Sequence, residues 1–178
     1  FSRFNEEQKR EFLDRFKIIA ESVDSTEPVL FKIVNMDLPI EQKNNILSEY
    51  SKMIDQNVEA IIDIEDFKDS TVKDNLFELL MCRFDSMNKY KKGLQKIIES
   101  GNDPILVKNI ACNVMNSLDF YLEFSGAYDG TLFDNFKKKT FLLIYAYCFK
   151  IWLRDNSNDL SQTMSELDRL LTISEKFS

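Results

Sequence analysis

The sequence predicts an all-α fold of about eight helices, and three observations point to it. Only 4 Gly and 3 Pro punctuate 178 residues, too few for a β-fold that must turn roughly every 8–12 residues. Apolar residues recur three and four positions apart through most of the chain, the period of a helix with one buried face. The breaks between these runs are short cap and turn signals, such as Asn102-Asp103-Pro104 and Asp129-Gly130-Thr131. With hydrophobic residues at 44% and 15 Phe, the chain can bury a sizeable core, which argues against disorder.

The elements follow in order. Asn5, with Gln8 three residues on, forms a capping-box pattern for a first helix whose apolar face is Phe12, Leu13, Phe16, Ile19 and Ala20. The turn Val23-Asp24-Ser25-Thr26 and Pro28 open a short second helix through Ile33. Asp37 and Pro39 start a long third, with Ile46, Tyr50, Met53, Ile54, Val58 and Ile61 on its apolar faces, fading into the acidic stretch Asp63 to Asp69. Asp69 or Ser70 starts a fourth, with Leu76, Phe77, Leu80, Met81, Phe84 and Met87 inward. A fifth runs through Tyr90, Leu94, Ile97 and Ile98 and stops at Gly101, the residue type that best closes a helix in the left-handed conformation. The sixth runs from Pro104 to Gly126, the seventh from Leu132 to Arg154, and the eighth from Leu160 towards Phe177. The seventh is about 33 Å long at ~1.5 Å per residue.

Composition removes several function classes. With no His and no Gly-rich phosphate loop, CxxC pair or HExxH helix, the chain lacks the usual general base, the commonest metal ligand and the common cofactor motifs. The expectation is a non-enzyme with no catalytic residues, no metal ligands and no cofactor. A net charge of −7 disfavours a grip on phosphate backbones. No apolar run reaches the ~20 residues of a membrane span. Cys82, Cys112 and Cys148 are odd in number and embedded in helical patterns, as expected of reduced core thiols in the cytoplasm. Because the first residue is Phe1, the expectation is a fragment, a processed form or the ordered part of something longer.

The last two predicted helices differ from the rest. From Phe141 to Trp152 the seventh is apolar nearly all round, so covering is expected on every side, by the core and by a partner subunit or ligand. The eighth carries Leu160, Met164, Leu167 and Leu171 on one face. Ile151, Trp152, Leu160, Met164, Leu167 and Leu171 are therefore the candidate interface of a homodimer, built as four helices across a two-fold axis. A central helix of a monomeric bundle is the plainer alternative.

The stretch Asp74-Asn75-Leu76-Phe77-Glu78-Leu79-Leu80-Met81-Cys82-Arg83-Phe84-Asp85 resembles the opening of the C-terminal domain in a bacterial branch of TetR-family transcriptional regulators. The tail Lys150-Ile151-Trp152-Leu153-Arg154-Asp155-Asn156-Ser157, with Met164-Ser165-Glu166-Leu167-Asp168-Arg169, resembles that branch too. It is equally similar to the end of the ubiquinone-biosynthesis accessory proteins, which share the TetR fold and bind lipid. The likeness runs from Val72 to Lys176. It implies a TetR-like helical bundle in an Ω-shaped homodimer, with the last two helices at the interface and an apolar pocket among predicted helices four, six and seven. Residues 1–48 would stand where the family carries its DNA-reading three-helix unit, and residues 49–178 would form the ligand-binding and dimerisation domain. Val29-Leu30-Phe31-Lys32-Ile33 lacks the Gly-containing turn of that unit, so the unit is degenerate or incomplete here, and DNA contact would run through it alone.

Phe77, Met81, Phe84, Met115, Leu118, Leu122, Phe141 and Tyr145 are candidate walls of a pocket for an apolar small molecule or lipid, since Met and aromatic side chains adapt to irregular apolar ligands. The competing reading is plain core. Asn113, Asn116 and Asp119 form a polar stripe at i+3 steps, bordered by Phe120, and Asp119 joins the candidate ligand set. Tyr121 and Tyr145 are candidates to orient a polar headgroup through their hydroxyls. The triplets Lys89/Lys91/Lys92 and Lys137–Lys139 read first as solvated faces and second as contacts to an anionic membrane surface. The functional expectation is an effector-binding, homodimerising TetR-like regulator. The alternatives are a lipid- or isoprenoid-binding accessory protein of ubiquinone biosynthesis and a structural interaction module.

Overall fold

The structure is a computed structural model that describes residues 39–62, 64–99 and 104–175. The first two predicted helices, most of the predicted 1–48 unit, Gly101 and Asn102-Asp103 lie outside the described residues. Among the described residues the chain is all-helical: α1 (Ile40–Ile61), α2 (Ile64–Asp69), α3 (Val72–Met87), a 3-10 turn (Asn88–Tyr90), α4 (Lys91–Glu99), α5 (Pro104–Phe124), α6 (Asp134–Trp152) and α7 (Ser161–Glu175). No helix of these residues is long and apolar enough to cross a membrane.

Pro39 opens α1, needing no donor there, and its carbonyl accepts from Gln42 N at 2.9 Å. Ile46, Leu47, Tyr50, Ile54 and Val58 bury one face of the helix, while Ile61, expected inward, is 63% exposed. The predicted boundary between residues 48 and 49 falls inside α1, which runs unbroken through it. The acidic stretch into which the third predicted helix was expected to fade forms a separate short helix, α2, held by half-buried Phe67 against Phe124 with ring centroids 5.3 Å apart. Tertiary packing overrides its polar composition.

The helix α3 starts one residue later than expected, because Thr71 is the better cap: its Oγ1 accepts from Asp74 N at 3.1 Å. It holds the centre of the bundle, packing against α1, α5, α6 and α7. Its buried face is Leu76, Leu79, Leu80, Arg83, Phe84 and Met87, a strict helical stripe with one charge in it. Phe77 and Met81, expected inward, are half-buried on its flanks.

The connection from α5 to α6 needs glycine twice, with φ +77 at Gly126 and +76 at Gly130. At the first, Ala127 N donates to Leu122 O at 2.9 Å and Gly126 N to Glu123 O at 3.1 Å, the paired bonds that close a helix C-terminus. α6 begins at Asp134, two residues later than expected, because Asp134 accepts from Gly130 N at 2.9 Å and holds the preceding residues in a turn. Its inner face, Phe141, Ile144, Tyr145, Cys148 and Trp152, builds an aromatic stack with α3. Phe84 lies 5.5 Å from Tyr145 and 5.8 Å from Trp152, and Lys91 caps the Trp152 ring at 5.1 Å. The core covers the inner face of α6, while Leu143 at 71% and Tyr147 at 49% stay exposed.

Before α7 the chain turns through Leu160, a non-glycine residue at φ +53. Holding it there costs about 1–2 kcal/mol, which is offset because its side chain is buried and its carbonyl accepts from Met164 N at 2.8 Å. Cys148 is buried and Cys82 half-buried, but Cys112, expected in the core, is exposed; all three are free. Burial holds the Cys148 thiol up at about 12 and the Cys82 thiol at about 11, so neither is a ready nucleophile.

Candidate functional site

Along the outer edge of the α1–α5 crossing the facing side chains are polar. Ser48, Ser51, Lys52, Asp55 and Glu59 lie on one face of α1, and Asn113, Asn116, Ser117 and Phe120 on one face of α5. Each set follows helical spacing, so both stripes face the same seam. They line an open groove of about 250 Å³.

Asp55 lines its floor, and Arg83 lies buried behind it. The Arg83 side chain, only 3% exposed, reaches across from α3 and its Nη1 donates to Asp55 Oδ1. Tyr121 Oη donates to the same oxygen at 3.0 Å, and Ser117 Oγ to Oδ2 at 2.6 Å. Arg83 Nη1 also donates to Tyr121 Oη at 3.2 Å, and Nη2 to Ser51 Oγ at 3.4 Å. The guanidinium sits between the Tyr121 and Tyr145 rings, 5.8 and 5.9 Å from their centroids. Burial works against its charge, but Tyr145, Tyr121 and Asp55 outweigh that and hold it firmly protonated. Burial, with Asp55 beside it and against the pull of Arg83, pushes the Tyr121 hydroxyl well above its ordinary value, so it stays a donor. Arg83 Nε and Tyr50 Oη are buried without a hydrogen-bond partner. Trp152 Nε1, in the aromatic stack, is unpartnered as well, and polar atoms so placed are costly.

The candidate ligand residues are placed differently from expectation. Phe84, Leu122, Phe141 and Tyr145 are packed into the core, as is Leu118. Phe77 and Met81 lie at its edge, and Met115 is half-buried. These side chains fill one another's space; Met81 alone of them lines a second surface hollow, beside Ile61, Cys82, Asp85 and Leu160. Asp119 turns away from the seam to pair with Lys138 at 2.8 Å and accept from Tyr128 Oη. Its stripe-mates Asn113 and Asn116 do line the groove, as does neighbouring Phe120. Tyr145 joins the Arg83 cage and Tyr121 bonds directly to Asp55.

Of the candidate interface residues, Trp152, Leu160, Leu167 and Leu171 are buried against their own protomer, Ile151 is half-buried, and Met164 is 41% exposed. The basic triplets are largely engaged. Lys137 pairs with Asp129 at 2.9 Å, Lys138 with Asp119, and Lys91 donates to Asp155 O; Lys89 lies 4.9 Å from the Tyr90 ring. Among the described residues no group of three or more Cys, Asp or Glu could hold a metal ion.

Asp55, Arg83, Ser51 and Ser117 were not singled out by the sequence. The usable signal was Arg83 itself, seven residues after Leu76 in a buried stripe whose other members are apolar except Asn75. A charge there needs a buried partner.

Comparison with protein-family models, with curated proteins and with solved structures gives no match to this chain.

Proposed function

We propose that this chain is a non-enzymatic, homodimerising regulator domain of the TetR-like kind, with its last two helices as the dimer interface. The observation that carries the reading is the open apolar face of the α6–α7 hairpin. Phe136, Leu143 and Tyr147 follow one another along α6 and are 62%, 71% and 49% exposed, while Ile173 on α7 is 41% exposed. Tyr147 also lies close enough to Arg169 of α7 to raise the pKa of its guanidinium, after the larger effect of Glu166. That pairing places Ile173 beside Leu143 in an antiparallel hairpin. Two helices per protomer, each with apolar surface on the same side, suit a four-helix contact across a two-fold axis. The interface so defined uses Leu143, Tyr147 and Ile173 rather than Leu167 and Leu171, which the protomer's own core consumes; Met164, nine residues from Ile173, lies on the opposite side of α7.

Native mass spectrometry and light scattering at micromolar concentration test the reading. The wild-type chain is expected to be a dimer. Leu143→Glu should weaken the dimer by at least about tenfold and leave the helical spectrum unchanged, because the side chain is mostly exposed. A wild-type monomer at these concentrations overturns the proposal.

A further inference from the structure

Beside the apolar core that α1 and α5 share, their outer edges carry Ser, Asn, Lys, Asp and Glu along an open groove. We propose that this groove binds a small polyhydroxylated molecule, a sugar or polyol of about monosaccharide size. It supplies the effector chemistry that the regulator reading leaves open, and rests on that reading for its use, though not for binding itself.

Four features carry the assignment. The lining interleaves donors and acceptors: hydroxyls from Ser48 and Ser51, amides from Asn113 and Asn116, and the Glu59 carboxylate. A sugar hydroxyl both donates and accepts, so it satisfies such a lining where an ion satisfies only half of it. Phe120, 39% exposed and stacked on Phe124 with centroids 5.8 Å apart, gives one wall an apolar face for ring C–H groups. The floor is fixed beforehand, because Asp55 is held by Arg83, Tyr121 and Ser117 and has no freedom to swing out. The volume of about 250 Å³ matches roughly eight waters at ~30 Å³ each, the scale a hexose displaces. An anion faces Glu59 and Asp55. A cation finds the Asp55 charge already neutralised by Arg83, and Lys52 beside it, itself paired to Glu49 at 2.8 Å. A neutral polar molecule fits where both ions do not.

The test is a ¹H–¹⁵N titration of the full chain with glucose, N-acetylglucosamine and myo-inositol at millimolar concentrations. At least one should give saturable shifts confined to residues 48–59 and 113–120. Asn116→Leu and Phe120→Ala, both at exposed positions, should each weaken that binding, the first by about tenfold, with the thermal melt retained. Linear, non-saturating shifts with all three compounds overturn the proposal, and so does saturation that both variants leave intact. The oligomeric state of the wild-type chain, read on the same sample, separates the two readings. Saturation in a monomer upholds the groove while the dimer fails, and no saturation in a dimer overturns the groove alone.

Discussion

The two seams that meet on α3 are built on opposite principles. On one side Phe84, Tyr145, Phe149 and Trp152 stack against one another, and Trp152 and Phe84 are fully buried. On the other, Arg83 is buried with Asp55, Tyr121, Ser117 and Ser51 around it. The aromatic seam is non-directional: its stabilisation follows buried area and fit. The polar seam is directional, and each of its atoms depends on a partner in one place. Yet the seams are only one residue apart, since Arg83 and Phe84 are neighbours and Tyr145 touches both. A helix at the centre of a bundle can thus carry a rigid apolar prop and a polar floor on adjacent positions.

Single substitutions should hurt both seams, but double substitutions should separate them. Arg83→Met leaves Asp55 on the groove floor without its counter-charge, and should cost about 3 kcal/mol. This is the lower end for a broken buried pair, because Asp55 keeps 22% of its exposure. Adding Asp55→Leu should recover most of that loss, because a charge pair replaced whole by apolar groups is often neutral. Urea unfolding of the two variants measures this directly. If the double variant remains as unstable as the single one, the pair is a structural necessity. Trp152→Ala removes the largest fully buried side chain, and should cost about 3–5 kcal/mol. No second substitution at Phe84 should rescue it, since a cavity enlarged is a cavity made worse. Rescue there would mean that the aromatic seam collapses freely.

The difference between the seams also explains what was legible beforehand. Helical class, and the ends of α1, α5 and α7 to within about two residues, follow from period and punctuation, and Pro39 and Gly126 mark them plainly. The inward faces of α1 and α3 were mostly legible for the same reason: Ile46, Tyr50, Ile54, Leu76, Leu80 and Phe84 repeat at helical spacing. Which protein surface covers them was not. Leu167 and Leu171 have the pattern of an interface and the burial of a core, because one apolar stripe serves either partner. The polar floor was the least legible part. Asn113, Asn116 and Asp119 stood out as a stripe bordered by Phe120, though Asp119 turns away to Lys138, and Asp55 and Ser51 lie many residues away and join it only through the α1–α5 crossing. Hydrogen-bond partners distant in sequence leave no local period to find.

A smaller, acid-sensitive test lies at the far end of α6, where Asp155 repeats the logic of the polar floor with a backbone in place of Arg83. Its Oδ2 accepts from Thr163 N at 2.9 Å and Thr163 Oγ1 at 2.8 Å, and its Oδ1 from Ser157 N at 3.0 Å. The carboxylate thereby caps the first turn of α7, where the helix dipole also favours negative charge. Burial works to raise its pKa, but the hydrogen bonds from Ser157 and Thr163 overcome that and hold it down at about 2. An unfolded Asp titrates near ~3.9. Because the folded value is depressed, the stabilisation is fully present above the unfolded value and is lost as pH falls through the folded one. That contribution is about 2 kcal/mol, and wild-type stability should fall by this amount across the acid window below about pH 4. Asp155→Asn keeps the shape and part of the hydrogen bonding without the titration, so its curve should be flatter there. Equal acid slopes for the two proteins would remove Asp155 from the acid response and leave its role as a neutral cap.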